Sequence, residues 1–212
     1  SGIITLEFIA KIKEKYGYAA KQLNLGGGYG VRYVDSDGYI DIDRKIADVA
    51  DALNETCARL GIEVPAILME PGRSIVADAG MTLYSVGTIK QIPGYKNYVS
   101  IDGGMTDNPR YALYGAQYSC YNAGKIDEEA DFECDLVGRC CESGDIIQPK
   151  VLFPKSTCRN DIIAVCTTGA YNYSMASNYN RIPRPPIVML RGGESYVAVR
   201  RETLNDLVNL DI

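Results

Sequence analysis

The chain has 212 residues, enough for one large domain or two small ones. Hydrophobic residues make up 46%, so it can build a real core and is not a disordered chain. The net charge of -5 with no basic stripe argues against nucleic acid as the main partner, and no apolar run approaches the roughly 20 residues of a membrane span.

Ile3, Leu6, Ile9 and Ile12 recur at helical spacing over residues 3–16, and Gly17 sits where that helix should end. A short apolar strand is predicted at 22–25, followed by Gly26-Gly27-Gly28-Tyr29-Gly30. A second helix is predicted over 44–60, with Ile46, Val49, Leu53, Cys57 and Leu60 as its apolar stripe. Asp43 is the expected N-cap and Gly61 the expected C-terminal glycine. A buried-type strand at 66–69 then leads into Glu70-Pro71-Gly72-Arg73. This is a β-α-β pattern with polar loops directly after its strands. Parallel strands joined by a helix belong to a sheet covered on both faces, and two strands do not complete one. The front of this domain is therefore expected to be missing.

After about Ala79 the texture changes. Strands are predicted at 82–92, 97–101, 132–137, 161–166, 187–190 and 196–199, with turn residues between them and no helix before 202–210. The expected fold class is thus α/β plus all-β, with 1–79 as the end of an α/β domain and 80–212 as a β-rich domain.

Four constellations could carry chemistry. Gly26-Gly27-Gly28 lets backbone N–H groups approach an anion closely, although glycine clusters are more often simple tight turns. In the second loop, Glu70 could pair with a cationic ring nitrogen and Arg73 could grip a phosphate or carboxylate; a solvated pair around a turn is the blander reading. Arg110 and Tyr114, in the stretch 102–115, suit recognition of a carboxylate, against a solvated arginine and a packed tyrosine. Cys140 and Cys141 stand side by side before Glu142, and a disulfide, a metal site, two inert thiols and a proton-delivering thiol are all open. Seven cysteines is an odd count in a chain too long to need stapling, which favours free thiols in a reducing cytosol. With no histidine and no CxxC pattern, a zinc site would need other ligands, and no metal is expected. In an extended segment only one cysteine of the pair could face a site while the other packs. Sixteen tyrosines against three phenylalanines suit interfaces and ligand pockets, and one of them, Tyr171, follows a predicted strand.

The segments LNLGGGYGVRY, MEPGRSIVADAG, DGGMTDNPRYALYGAQY, CESGD and GAYNYSMASNYNRIPRPP occur in this order over nearly the whole chain. Together they resemble the C-terminal half of the diaminopimelate decarboxylases, pyridoxal-phosphate enzymes of the alanine racemase-like group. Ornithine and arginine decarboxylases are similar at EPGR and around the cysteine, but less so in the CESGD and SNYNRIPRP wording. The resemblance implies that residues 1–79 are the C-terminal part of a TIM-type (β/α)8 barrel that binds pyridoxal 5'-phosphate. It implies that Gly26, Gly27, Gly28, Gly72 and Arg73 hold the cofactor phosphate, that Glu70 pairs with the pyridine nitrogen and that Tyr171 lies against the cofactor and substrate. Arg73, Arg110, Tyr114 and Glu142 would recognise the distal end of meso-diaminopimelate, and Cys141 would return the proton after decarboxylation. A cytoplasmic homodimer with shared active sites is implied, because the family's cysteine loop reaches into the partner's site.

There are departures. The family's Schiff-base lysine lies near the start of the full protein; Tyr18-Ala19-Ala20-Lys21 only imitates its setting, and Lys21 is assigned no role. The histidine that the family stacks on the cofactor is absent, and Arg139 and Cys140 replace a proline and an isoleucine beside the key cysteine. The chain is expected to be a fragment with little activity alone. Two alternatives are a decarboxylase of ornithine or arginine, and a non-catalytic homologue serving as a dimerisation or phosphate-binding module.

Overall fold

All of residues 1–212 are described by a computed structural model. The chain divides into two units, residues 1–32 with 36–75, and residues 33–35 with 76–212. No helix is long and apolar enough to cross a membrane.

In the first unit, α1 (Gly2–Tyr16) ends at Gly17, whose φ of 71° lets its N–H turn back to the Lys13 carbonyl. β1 (Gln22–Asn24) and β2 (Ala66–Leu68) pair in parallel, with α2 (Ile42–Leu60) between them in sequence. Asp41 caps α2, its carboxylate accepting from Arg44 N–H at 3.0 Å. Asp43, the expected cap, lies instead in the first turn, where its charge favours the positive end of the helix dipole. Leu6, Leu23, Leu53 and Cys57 form the core, with Ile9, Val49 and Leu60 packed against it. The stripes fade at their N-terminal ends: Ile3 and Ile46 are exposed.

The second unit is built on a six-stranded sheet. Its strands are β3 (Met81–Ile92), β4 (Lys96–Ile101), β5 (Cys120–Asn122), β6 (Ala130–Val137), β7 (Ile146–Pro154) and β8 (Ile162–Cys166), in the order β5-β8-β3-β4-β6-β7. Only β4 and β6 run parallel. β3 serves two neighbours: Met81–Ser85 pairs with β8, and beyond a register shift its second half pairs with β4. Alternating residues of these strands, among them Val86, Val99, Leu136, Ile147, Phe153, Ile163 and Val165, fill the core. A separate hairpin, β9 (Ile187–Arg191) with β10 (Glu194–Val199), follows.

Three further helices are short: α3 (Arg73–Val76), α4 (Arg110–Tyr114) and α5 (Leu204–Val208). α4 interrupts what the sequence presents as an unbroken β region. α5 is shorter than the predicted 202–210 because it starts at a capping box of Thr203 and Asp206.

One buried-edge cluster gives a pH-dependent prediction. Asp161 accepts hydrogen bonds from Lys125 Nζ at 2.7 Å, Asn122 Nδ2 at 2.9 Å and Cys158 N–H at 2.9 Å. Burial pushes the Asp161 carboxyl up, but these three donors outweigh it and hold the group at about 2. A depressed carboxyl stabilises the fold above its unfolded value, 3.8, and that contribution is lost as pH falls towards 2. Asp161→Asn is expected to cost about 1.5–3 kcal/mol at pH 7, the range for hydrogen bonds to a charged group. The gap to the wild type should close between about pH 4 and pH 2 in denaturant melts. A gap that persists at pH 2 would mean the carboxylate charge is not what holds this corner.

Candidate functional site

The predicted site residues fall into three groups. In the first unit, the parallel pairing of β1 and β2 brings the loops after them side by side. Leu25 N–H donates to Leu68 O at 2.9 Å, and Glu70 N–H donates to Gly26 O at 2.8 Å. Asn24 ties the two loops further, its Nδ2 donating to Glu70 Oε1 at 2.6 Å while its Oδ1 accepts from Gly26 N–H at 2.7 Å. Gly27 is where the loops touch: a Cβ there would meet the Glu70 carbonyl oxygen at 2.5 Å. Beside it, the space over Gly26, Gly28 and Gly72 is open. The result is a backbone rim with room above it, next to one carboxylate, Glu70, and one half-buried arginine, Arg73, that makes no ion pair. Such a rim fits the phosphate of a cofactor.

In the second unit, Arg110 opens α4 and is only 7% exposed. Its guanidinium carbon lies 5.5 Å from the ring centres of Tyr114 and Tyr171 and 5.9 Å from that of Tyr33. Tyr33 in turn meets Tyr118 edge-on, with ring centres 5.5 Å apart. Burial pushes the Tyr118 phenol up against the pull of Arg110, so it stays a neutral donor. The buried Arg110 Nε and Asn108 Nδ2 lack hydrogen-bond partners. A buried guanidinium faced by rings, with no carboxylate paired to it, is chemically able to bind an anion. The cluster thus joins Arg110, Tyr114 and Tyr171, which the sequence singled out, to Tyr33 and Tyr118, which it did not.

Cys141 and Glu142 lie on the loop between β6 and β7, apart from that cluster in their hydrogen bonding. The loop is bent rather than extended, so strand alternation is not what separates the two cysteines. Instead, Asp145 Oδ2 accepts from Cys140 N–H at 2.7 Å and Asp145 Oδ1 accepts from Met105 N–H at 2.6 Å. This pins the loop to the DGGMTDN segment and turns Cys140 inward. Burial, with the Asp145 charge, pushes the Cys140 thiol up to about 11. Gly138 permits this closeness, since a Cβ there would strike the Asp145 carboxylate. Cys141 is exposed, and its N–H donates to Asn180 Oδ1 at 2.7 Å. Glu142 Oε1 accepts from Gly144 N–H at 3.2 Å and Ser143 Oγ at 3.3 Å. All seven cysteines are unpaired thiols. Lys21 uses its carbonyl to pair β1 with β2, accepting from Ala66 N–H at 2.9 Å.

A family model described as pyridoxal-dependent decarboxylase, C-terminal sheet domain, matches residues 18–169, and the chain belongs to this family. Within it, the chain is 46% identical over 200 residues to a diaminopimelate decarboxylase of Bacillus subtilis (strain 168), covering 94% of this chain and 45% of that protein. A diaminopimelate decarboxylase of Staphylococcus aureus (strain COL) is 45% identical over 206 residues, covering 97% and 49%. Among solved structures, diaminopimelate decarboxylase from M. jannaschii in complex with L-lysine aligns with a TM-score of 0.87 at 33% identity, covering all of this chain and 47% of that one. Lysine/ornithine decarboxylase from Vibrio vulnificus with cadaverine aligns less well, at 0.69 and 25%, covering 85% and 47%. The chain spans about half the length of the curated relatives it matches.

Proposed function

We propose that the protein containing this chain decarboxylates meso-2,6-diaminopimelate to L-lysine with pyridoxal phosphate. The observation that carries this reading is Arg110, a buried cation with no carboxylate partner, ringed by tyrosines. It suits a substrate that brings its own carboxylate. The relatives' names and the lysine-bound neighbours support the same choice.

When bound, pyridoxal phosphate supplies the electron sink for loss of carbon dioxide. Gly26, Gly27, Gly28 and the Gly72-Arg73 backbone would hold its phosphate, and Glu70 would keep the ring nitrogen protonated through Oε2, the oxygen not engaged by Asn24. Tyr171 would lie against the cofactor and shield the site from water. Arg73, Arg110 and Tyr114 would bind the distal carboxylate. Glu142 would bind the distal ammonium through Oε2, since Oε1 already serves its own loop. The Cys141 thiol would carry the proton delivered to the substrate's α-carbon. In this reading residues 1–79 complete the cofactor barrel and 80–212 form the sheet domain. The cysteine loop then serves the site of a partner copy in a cytoplasmic homodimer.

The test is carbon dioxide release by the full protein supplied with pyridoxal phosphate and, separately, meso-diaminopimelate, ornithine and arginine. Preference for diaminopimelate is expected. Preference for ornithine or arginine would move the chain to the neighbouring decarboxylases, and no release from any of them would favour a non-catalytic role.

A further inference from the structure

We propose that Asn180 is the positioning residue for the Cys141 thiol, an inference that rests on Cys141 as the proton donor. The loop at 138–145 satisfies most of its N–H groups locally or against Gly103: Gly138 donates to Asp145 O, Arg139 to Gly103 O, Glu142 to Cys140 O and Asp145 to Glu142 O. Cys140 is held by Asp145 of the same loop. Cys141 is different, because its N–H donates to Oδ1 of Asn180, 39 positions along the chain, at 2.7 Å. The stretch carrying Asn180, residues 177–184, has no place in the chemistry derived above.

That stretch is braced. Ser177 N–H donates to Thr106 O at 2.8 Å. Asn178 Nδ2 donates to Ile182 O at 3.1 Å and to Glu202 Oε2 at 2.7 Å, and Glu202 Oε2 also accepts from Arg184 N–H at 2.8 Å. Asn180 itself sits at φ 54°, ψ 21°, a left-handed conformation that asparagine tolerates better than other residues with a side chain. A cavity of about 430 Å³ opens beside the bond, lined by Arg139, Cys141, Asn180 and Pro183 among others. Anchoring the Cys141 N–H fixes the backbone that carries its exposed thiol. Proton transfer depends steeply on such placement.

Two substitutions separate the hydrogen bond from the backbone conformation. Asn180→Gly accepts the left-handed φ but removes the acceptor, and Asn180→Asp keeps an acceptor oxygen. In the full protein, Asn180→Gly is expected to lower kcat about tenfold with KM nearly unchanged, as for loss of alignment rather than of binding. It should also change the iodoacetamide labelling rate of Cys141 while that of exposed Cys158 stays constant, and Asn180→Asp should restore both. Should the glycine variant lose its fold, Asn180→Gln, which displaces the acceptor by one methylene, is read in the same way. Wild-type kcat and wild-type Cys141 labelling in Asn180→Gly, or an aspartate variant as impaired as the glycine one, would overturn the proposal. Cys141→Ala distinguishes the two claims. If it keeps full turnover, the proton-donor reading fails, while altered Cys141 labelling in Asn180→Gly would still uphold the hold of Asn180 on the thiol.

Discussion

On the proposed reading, replacing Arg110 with alanine lowers kcat/KM for meso-diaminopimelate by about 10²- to 10³-fold in the full protein, the range for truncating one partner of a buried charge pair. The guanidinium is buried, stacked among three tyrosine rings, and lacks a protein carboxylate. The rings compensate part of that charge, and on the proposed reading the substrate's carboxylate compensates the rest. Arg110→Lys should recover little of the loss, because an ammonium keeps the charge but loses the planar fork and the ring contacts. The size of the stability change is the sharper test. Relief of a buried charge and loss of the ring contacts oppose one another, so the alanine variant should melt within a few degrees of the wild type while activity collapses. Parallel falls in melting temperature and activity would mean that Arg110 holds the fold rather than the substrate.

Asp145→Ala should be among the most damaging single changes to the stability of the second unit, costing about 2–6 kcal/mol. That figure follows from about 1–3 kcal/mol for each of the two orphaned N–H groups. The side chain is buried, and its two oxygens hold Met105 and Cys140 from opposite sides. Against a typical total of about 5–15 kcal/mol, this loss would consume much of the available stability. Denaturant melts of wild type and variant measure it directly. Hydrogen exchange should show residues 102–108 and 138–145 opening together, since one carboxylate clamps both. A loss under about 1 kcal/mol would show that water replaces the carboxylate easily at those N–H groups.

Elements whose side chains repeat with a clear period were legible from the sequence. α2 was found because Val49, Leu53, Cys57 and Leu60 recur on one face and Gly61 ends it, and only its cap was misplaced by two residues. β7 was hidden because Pro149 and Pro154 break a strand's look and Lys150 takes a φ of 51°, which shifts the register against β6. β5 and α4 are too short to carry a period. In the site, Arg110, Tyr114 and Tyr171 announced themselves by residue type. Tyr33 did not, because its place over the guanidinium is made by the fold and not by neighbours in sequence. Asp145 and Asn180 were missed for another reason: each acts as an acceptor for backbone N–H groups, and such a partner leaves no mark on composition.

The double partnership of β3 has a consequence during synthesis. Its second half can fold at once onto β4, but Met81–Ser85 must wait for β8, and Thr82 meets Thr168 across 86 positions. At a ribosome speed of ~5–20 residues per second, that half-strand emerges about 4–17 s before its mate. Met81 and Leu83 are exposed in this structure. The nascent chain therefore presents an unpaired, partly apolar strand edge for seconds, the kind of surface that chaperones engage and that neighbouring chains on a polysome can capture.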